Sequence, residues 1–170
     1  YACVAPQRIV HSAQEKNDSL NLRDFSKTIQ KYFEGTYIAP FPSWSDAFSY
    51  ITQKTKEERT ILIIDEFPFM AGPNPSIKSM LQHEIDHHWK NQNIFLILCG
   101  SSVSFMINEI MGYESPLYGR ITSSMEVLPF DYLDGAKFFP DYSIEDKIIA
   151  YGMLGGIPRY LNAFSADCSI

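Results

Sequence analysis

Two adjacent carboxylates, Asp65 and Glu66, follow directly after four branched aliphatic residues at positions 61–64. A continuous apolar run of this kind predicts a central strand of a parallel sheet, covered on both faces. Open α/β sheets bind their ligands just beyond the carboxyl ends of such strands. A carboxylate pair there can hold the water shell of Mg²⁺ with one side chain and activate a water molecule with the other. A buried strand that ends in a solvated turn explains the same residues equally well.

Hydroxyl side chains follow a second apolar stretch. Residues 94–99 are apolar, and Gly100, Ser101 and Ser102 come next. Residues 75–90 are long enough for a crossover helix, so we expect a strand–helix–strand unit with right-handed parallel pairing. The two serines would then lie at the same sheet edge as the carboxylates. The alternative is that Ser101 only caps a helix that begins after it.

A competing motif lies between the two stretches. Residues 83–87, HEIDH, fit the HExxH pattern of zinc metalloproteases, with two histidines on one helical face and Glu84 as general base. A third ligand would have to come from a helix packed on the first, and the apolar strand at 94–99 intervenes. We therefore expect a crossover helix with His83, His87 and His88 on its surface, and a zinc metallohydrolase is a distant alternative.

Composition narrows the class of protein. The chain has 170 residues and a formal charge of −6, which argues against a global nucleic-acid-binding surface. Its apolar runs are much shorter than the ~20 residues of a membrane span. The three cysteines, Cys3, Cys99 and Cys168, are scattered and odd in number, which fits a reducing cytoplasm. We expect a soluble cytoplasmic protein.

Apolar spacing and capping residues predict further elements. Helices are expected over residues 18–33 and from Trp44 onward, and Ser143 should cap a helix that ends at Leu154. Residues 1–4 look like the tail of a strand. Residues 124–128 look like the last core strand.

An ordered set of segments resembles the prokaryotic, archaeal-type AAA-like P-loop ATPases, which are related to the STAND ATPases. The segments are ILIIDEFPFM at 61–70, LILCGSSVSFM at 96–106, SPLYGR at 115–120, LPFDY at 128–132 and GGIPRYL at 155–161. The resemblance covers most of the chain. It implies a three-layer α/β core with a parallel sheet over residues 1–130, the start of a helical lid over residues 131–170, and ATP and Mg²⁺ as ligands.

The resemblance also implies roles for the strand-end residues. Asp65 corresponds to the Walker B carboxylate that holds Mg²⁺ through water. Glu66 corresponds to the residue that activates the attacking water and contacts the nucleotide. Ser101 or Ser102 corresponds to the polar sensor of the γ-phosphate.

Two arginines gain candidate roles from the same resemblance. Arg120 is placed to reach the γ-phosphate of a neighbouring subunit, and the alternative is an ion pair with Glu114 or Asp131. Arg159 is a candidate nucleotide-binding sensor of the lid, and the alternative is a surface arginine at the start of a helix.

One departure from the family pattern is large. No glycine in the chain is followed by lysine, so the Walker A loop GxxxxGK[ST], which cradles the phosphates, is absent. In the family this loop and its strand precede the position of Tyr1. We therefore expect a fragment that lacks the first strand and the P-loop and is inactive alone, with true loss of the loop as the alternative.

The missing strand would leave an open slot in the sheet, which predicts self-association.

The leading function is an ATP-binding and ATP-hydrolysing switch in the full-length protein. The alternative is a nucleotide-independent interaction or scaffold module. Effector or DNA-binding regions would lie outside this chain, and no membrane association is expected.

Overall fold

The computed structural model describes residues 7–56 and 59–164. The chain divides into two compact units, Tyr1–Thr122 and Ser123–Ile170. The division therefore lies between residues 122 and 123, whereas the sequence-based boundary lies between residues 130 and 131. Across the described ranges, no helix is long and apolar enough to cross a membrane.

The first unit contains a three-stranded parallel sheet in the order β1-β2-β3. Its strands are β1 (Gln7–Ser12), β2 (Thr60–Asp65) and β3 (Ile94–Leu98). In the register, Leu62 at the centre of β2 faces Ile9 on one side and Leu96 on the other. The two strands predicted from the apolar runs are confirmed.

Strand β1 was not predicted. Its sequence, QRIVHS, has only two apolar residues, so it lacks the continuous run that revealed β2 and β3. The strand tail expected at residues 1–4 lies outside the described residues.

Helices connect the strands in crossover fashion, and those predicted over residues 18–33, from Trp44 and within 75–90 are confirmed. They are α1 (Asp18–Glu34), α2 (Trp44–Lys54), the short α3 (Pro68–Ala71), α4 (Ser76–His87), a 3-10 turn (Trp89–Asn91), and α5 (Val103–Phe105) followed by a π-helical turn (Met106–Ile110).

The main core lies on one face of the sheet. Ile9, Leu62 and Ile64 are buried there and belong to one cluster with Phe25 of α1 and Phe48 of α2. Successive residues of a strand point to opposite faces, so this cluster uses every second residue of each strand. Burial of these side chains is the main force that holds strands and helices together.

The opposite face of the sheet is less buried. Val10 on β1 and Phe95 on β3 are 58% and 49% exposed. Ile61, Ile63 and Ile97 on the same face are half-buried. This face is therefore an apolar surface that the described residues cover only in part.

The second unit is helical and has a small core of Phe139, Ala150 and Leu161. Its elements are α6 (Tyr132–Gly135), a 3-10 turn (Ala136–Phe138), α7 (Ile144–Leu154) and α8 (Pro158–Ala163). Ser143 caps α7 by accepting a hydrogen bond from the backbone N–H of Asp146, and Leu154 ends the helix, so both predictions are confirmed.

The strand predicted over residues 124–128 is wrong. Residues 121–130 form no strand, and Met125 and Val127 are 86% and 85% exposed. A strand exists only through pairing of its backbone groups, and no described strand pairs with this segment. The prediction failed because it rested on apolar residues alone and not on a pairing partner.

Burial of His11 predicts a pH-dependent stability. Its Nδ1 lies 3.1 Å from Thr28 Oγ1, its ring packs edge-on against Phe25, and its Nε2 has no hydrogen-bond partner among the described residues. Desolvation lowers the pKa of His11 to about 4. Between pH 7 and pH 5 the unfolded chain therefore binds a proton that the folded chain does not, so the free energy of unfolding should fall by about 2 kcal/mol from this residue alone.

Urea unfolding at pH 7 and pH 5 tests this expectation. His11→Phe should remove that part of the pH dependence, because phenylalanine cannot take up the proton. His88→Gln is the control, since His88 is exposed. A His11→Phe protein that loses as much stability as the wild type on acidification would contradict the assignment.

Candidate functional site

The carboxyl ends of the three strands bring polar side chains to one edge of the sheet. Ser101 donates two hydrogen bonds to Oε2 of Glu66, from its hydroxyl at 3.1 Å and from its backbone N–H at 3.3 Å. Ser12 donates from its hydroxyl to Oδ2 of Asp65 at 3.4 Å. The structure therefore brings together the carboxylates and Ser101 as the sequence predicted.

The backbone at Glu66 has an unusual conformation. Its φ is 52°, the only positive value at a non-glycine residue in the part of the chain that the structure describes. The left-handed region costs an L-residue roughly 1–2 kcal/mol. Asp65 stabilises the turn locally, because its Oδ1 accepts a hydrogen bond of 3.0 Å from the Glu66 N–H. Such strain is commonly found at functional sites.

The turn after Glu66 is fastened to the end of β3. The N–H of Phe67 donates to the carbonyl of Cys99 at 2.9 Å. A Cβ atom at Gly100 would lie 2.7 Å from Cδ of Pro68, so only glycine permits this close approach. These contacts keep Glu66 and Ser101 side by side.

Of the two candidate sensor serines, only Ser101 contacts a carboxylate. Ser102 is exposed and occupies the N-cap position of α5, where its side chain makes no capping hydrogen bond. The hydroxyl of Ser101 is bound to Glu66 and does not cap the helix.

Ser12 is the site residue that sequence reasoning missed. It ends β1, and its partner in the register is Asp65. The signal for it was weak, since only Ile9 and Val10 mark the strand that carries it.

The sheet edge carries a negative potential. Burial raises the pKa of the Cys99 thiol, and the charges of Asp65 and Glu66 raise it further. Among the described residues, no group of three or more His, Cys, Asp or Glu side chains could hold a metal ion. Mg²⁺ commonly needs only one or two carboxylates, because phosphate oxygens and waters complete its shell. The oxygen donors at this edge therefore fit Mg²⁺ carried by a phosphate ligand.

Arg120 lies in an ion pair with Asp86 of α4. Its Nε is 3.0 Å from both carboxylate oxygens, and its Nη1 donates to the carbonyls of Pro116 and Tyr118 at 3.0 and 3.1 Å. The ion pair predicted with Glu114 or Asp131 is therefore wrong. The prediction considered only carboxylates close to Arg120 or in the next segment. Asp86 of α4, which is distant in sequence, offers a carboxylate that the guanidinium binds with two nitrogens. A role of Arg120 at a phosphate stays a prediction and would require this pairing to break.

Arg159 lies in the first turn of α8 in the second unit. Its side chain is exposed and has no hydrogen bond or ion pair with the described residues. Its role as a lid sensor stays a prediction.

The HExxH residues do not form a zinc site. Glu84 is buried and accepts hydrogen bonds from the hydroxyls of Ser49 and Thr52 at 3.3 and 2.8 Å, so it serves the packing of α4 on α2. His83 and His87 are exposed, with ring centroids 4.5 Å apart. The predicted surface position of the histidines is confirmed.

Comparison with known proteins identifies relatives of the chain. Residues 7–164 match the family described as "ATPase domain predominantly from Archaea". Uncharacterized protein MJECL04 of Methanocaldococcus jannaschii is 36% identical over 141 residues, which are 83% of this chain and 30% of that protein. Uncharacterized protein MJ0424 of the same organism is 31% identical over 93 residues, which are 51% of this chain and 86% of that protein.

A solved structure shows the same fold. The Walker-type ATPase PABY2304 of Pyrococcus abyssi superposes with a TM-score of 0.62 at 23% identity, over 91% of this chain and 53% of that chain. The chain therefore spans about half of that ATPase and 30% of MJECL04.

The strain at Glu66 predicts that glycine at this position stabilises the fold more than alanine does, which is the reverse of their order inside a helix. Glu66→Gly and Glu66→Ala remove the same carboxylate, but only alanine keeps the steric cost of the left-handed backbone. The glycine variant should be more stable by about 1 kcal/mol in urea unfolding. At Lys27, an exposed position inside α1, the same pair of substitutions should give the opposite order. Alanine equal to glycine at position 66 would show that the backbone there is unstrained.

The ion pair of Arg120 predicts coupled stabilities. Hydrogen bonds from Arg120, and secondarily from Lys90, hold the pKa of Asp86 well below its usual range, so the pair stabilises the folded chain at neutral pH and loses this effect in strong acid. Arg120→Gln and Asp86→Asn should each lower the urea midpoint at pH 7. The double variant should be little worse than the poorer single one. Fully additive losses would mean that the two side chains act independently.

Proposed function

This chain belongs to the family of ATPase domains found predominantly in Archaea, and we propose that it supplies the metal-positioning and water-activating side of an ATP-hydrolysing site. The observation that carries the proposal is the pair of hydrogen bonds from Ser101 to Glu66, beside Asp65, at the carboxyl ends of adjacent parallel strands. Ligands of open α/β sheets bind at this edge.

In the proposed mechanism, Glu66 is the general base. Both hydrogen bonds from Ser101 go to Oε2, and Oε1 accepts none from a described residue. Oε1 is therefore available to accept a proton from an attacking water, while Oε2 fixes the direction of the carboxylate. A base positioned in this way contributes typically 10²–10⁴-fold to a rate.

Asp65 is the proposed metal-positioning residue. Its Oδ1 is occupied by the N–H of Glu66, and its Oδ2 accepts from Ser12, so the carboxylate is held at both oxygens. Each oxygen retains a further lone pair for a water of the metal shell. Mg²⁺ bound with ATP would neutralise charge that develops on the transferred phosphoryl group.

Ser101 is the proposed phosphate sensor. Ser101 is exposed and its hydroxyl donates to Glu66, so a γ-phosphate oxygen that approached it would compete with the carboxylate for this hydrogen bond. Ser102, which makes no side-chain hydrogen bond with the described residues, is the weaker candidate.

A segment outside this chain would have to supply the loop that binds the phosphates. None of the 170 residues forms a GxxxxGK[ST] loop, which supplies backbone N–H groups and a lysine to the phosphates. We therefore propose that the chain is the partial core of a longer ATPase and that it hydrolyses little ATP alone. The same lack of a cradle favours, as a second candidate, a scaffold module that works without nucleotide.

We propose a cytoplasmic location, because three scattered cysteines suit a reducing compartment. The regions that would define an effector, such as a DNA-binding domain, would lie outside this chain. Arg120 and Arg159 remain proposed contacts to nucleotide that depend on rearrangement or closure.

Replacement of the base tests the function in the complete protein that contains this chain. Glu66→Gln should lower kcat for ATP hydrolysis by ~10²-fold or more while ATP still binds, because only the proton acceptor is lost. Phosphate release and nucleotide binding should be measured side by side. Glu15→Gln is the control, since Glu15 is an exposed glutamate without a hydrogen bond or ion pair to the described residues. Equal rates for Glu66→Gln and wild type would overturn the proposal, and partner binding without any nucleotide affinity would favour the scaffold.

A further inference from the structure

Asn21 is a buried polar side chain that has no role in the proposed mechanism. It lies near the start of α1 and is only 1% exposed. Its amide nitrogen donates to the carbonyl of Phe69 at 2.9 Å and to that of Lys16 at 3.3 Å. Its amide oxygen accepts a longer hydrogen bond of 3.5 Å from the N–H of Gln14. The side chain therefore joins two backbone segments that are distant in sequence.

Both of these segments continue directly from residues of the candidate site. Gln14 and Lys16 belong to the loop that follows Ser12, the last residue of β1. Phe69 belongs to α3, and its own N–H donates to the carbonyl of Glu66 at 2.9 Å. The amide on α1 therefore connects the end of β1 with the strained turn that follows β2.

A side-chain amide suits all three contacts of Asn21. Two carbonyl oxygens need donors and one N–H needs an acceptor, and a primary amide offers two N–H groups and an oxygen from a single planar group. The reversed orientation would place the amide oxygen against two carbonyl oxygens, so the hydrogen bonds determine the orientation. A carboxylate of the same size would lack the donors, and an apolar side chain would leave both carbonyls without this partner.

The turn at Glu66 is held from two sides. The N–H of Phe67 donates to the carbonyl of Cys99 at the end of β3, and the carbonyl of Phe69 accepts from Asn21 on the side of β1. A left-handed backbone at a residue other than glycine persists only where the surrounding structure maintains it. The contact to Asn21 is one of the two restraints that do so here.

We propose that Asn21 is a positioning residue of the candidate site. Through Phe69 it holds Glu66 in its left-handed conformation. Through the loop after β1 it keeps Ser12 beside Asp65. This inference rests on the proposed function, because the direction of the carboxylate affects a rate only if Glu66 takes a proton from water. A misplacement of about 1 Å at a reacting group can lower a rate by ~10²-fold.

Gln30 provides a matched control on the same helix. It is also a buried side-chain amide, 7% exposed, that joins backbone groups. Its Nε2 donates to the carbonyl of Ala39 at 2.6 Å, and its Oε1 accepts from the N–H of Ile38 at 2.9 Å. These contacts lie in the loop between α1 and α2 and not beside the site. Asn21→Ala and Gln30→Ala should therefore both lower the urea midpoint, but only the first should disturb the site.

Stability at position 66 tests the positioning without nucleotide. With Asn21 in place, Glu66→Gly should be more stable than Glu66→Ala, because alanine retains the strain. In an Asn21→Ala background this advantage of glycine should shrink by roughly half or more, because the released turn can relax to an unstrained backbone. In a Gln30→Ala background it should stay the same. An advantage that is equal in all three backgrounds, or is absent with Asn21 in place, would overturn the proposal.

ATP hydrolysis by the complete protein that contains this chain tests the consequence for catalysis. Asn21→Ala should lower kcat about tenfold or more and change the Kd for ATP little, since only the direction of the base is lost. Gln30→Ala should leave both constants within about twofold of the wild-type values. If Asn21→Ala does not fold, Asn21→Ser, which keeps a hydroxyl at the same position, takes its place in both tests.

Failure of this inference can be told apart from failure of the proposed function. If Glu66→Gln lowers kcat and Asn21→Ala does not, the site is catalytic but Asn21 does not position it. If Glu66→Gln leaves kcat unchanged, the proposed function fails, and the stabilities at position 66 alone then decide whether Asn21 holds the turn.

Discussion

The parallel pairing of β2 with β3 is the constraint on which the candidate site depends. Because Ile64 pairs with Leu98, the first polar residues after the two strands emerge together. The register is determined by burial: Leu62 and Ile64 are fully buried, and a slip of one residue would turn every side chain of a strand to the opposite face. Core packing therefore positions Glu66 next to Ser101.

The sequence revealed the parts of the fold whose signals are local. Strands β2 and β3 are continuous apolar runs, and the cap at Ser143 is defined by a contact three residues away. The closeness of Glu66 to Ser101 was predictable because both follow strands of one parallel unit. Long-range contacts were not predictable, and the pairing of Arg120 with Asp86, 34 residues apart, is the clearest case. Strand β1 and Ser12 were missed because their apolar signal is only two residues long.

Local motifs and tertiary context conflict at two places. HEIDH has the spacing of a zinc site, but Glu84 is buried and bound to two hydroxyls of α2, so its role is in packing. At Glu66 the local sequence does not favour the observed structure, because a left-handed backbone is unfavourable for a glutamate. Tertiary contacts to the end of β3 maintain it. Strain kept at a carboxylate, beside a serine that follows the neighbouring strand, supports the proposal that this turn has a function.

The central claim is that Asp65, Glu66 and Ser101 form the metal side of an ATP site. Titration of the ¹⁵N-labelled chain with Mn²⁺ and ATP tests it directly, because Mn²⁺ prefers the same oxygen ligands as Mg²⁺ and broadens nearby amide signals. The account predicts that the amides of Ser12, Glu66 and Ser101 broaden first, although this chain has no GxxxxGK[ST] loop to bind the phosphates. Broadening centred on His83 and His87 of α4, or spread evenly over acidic surface residues, would contradict it.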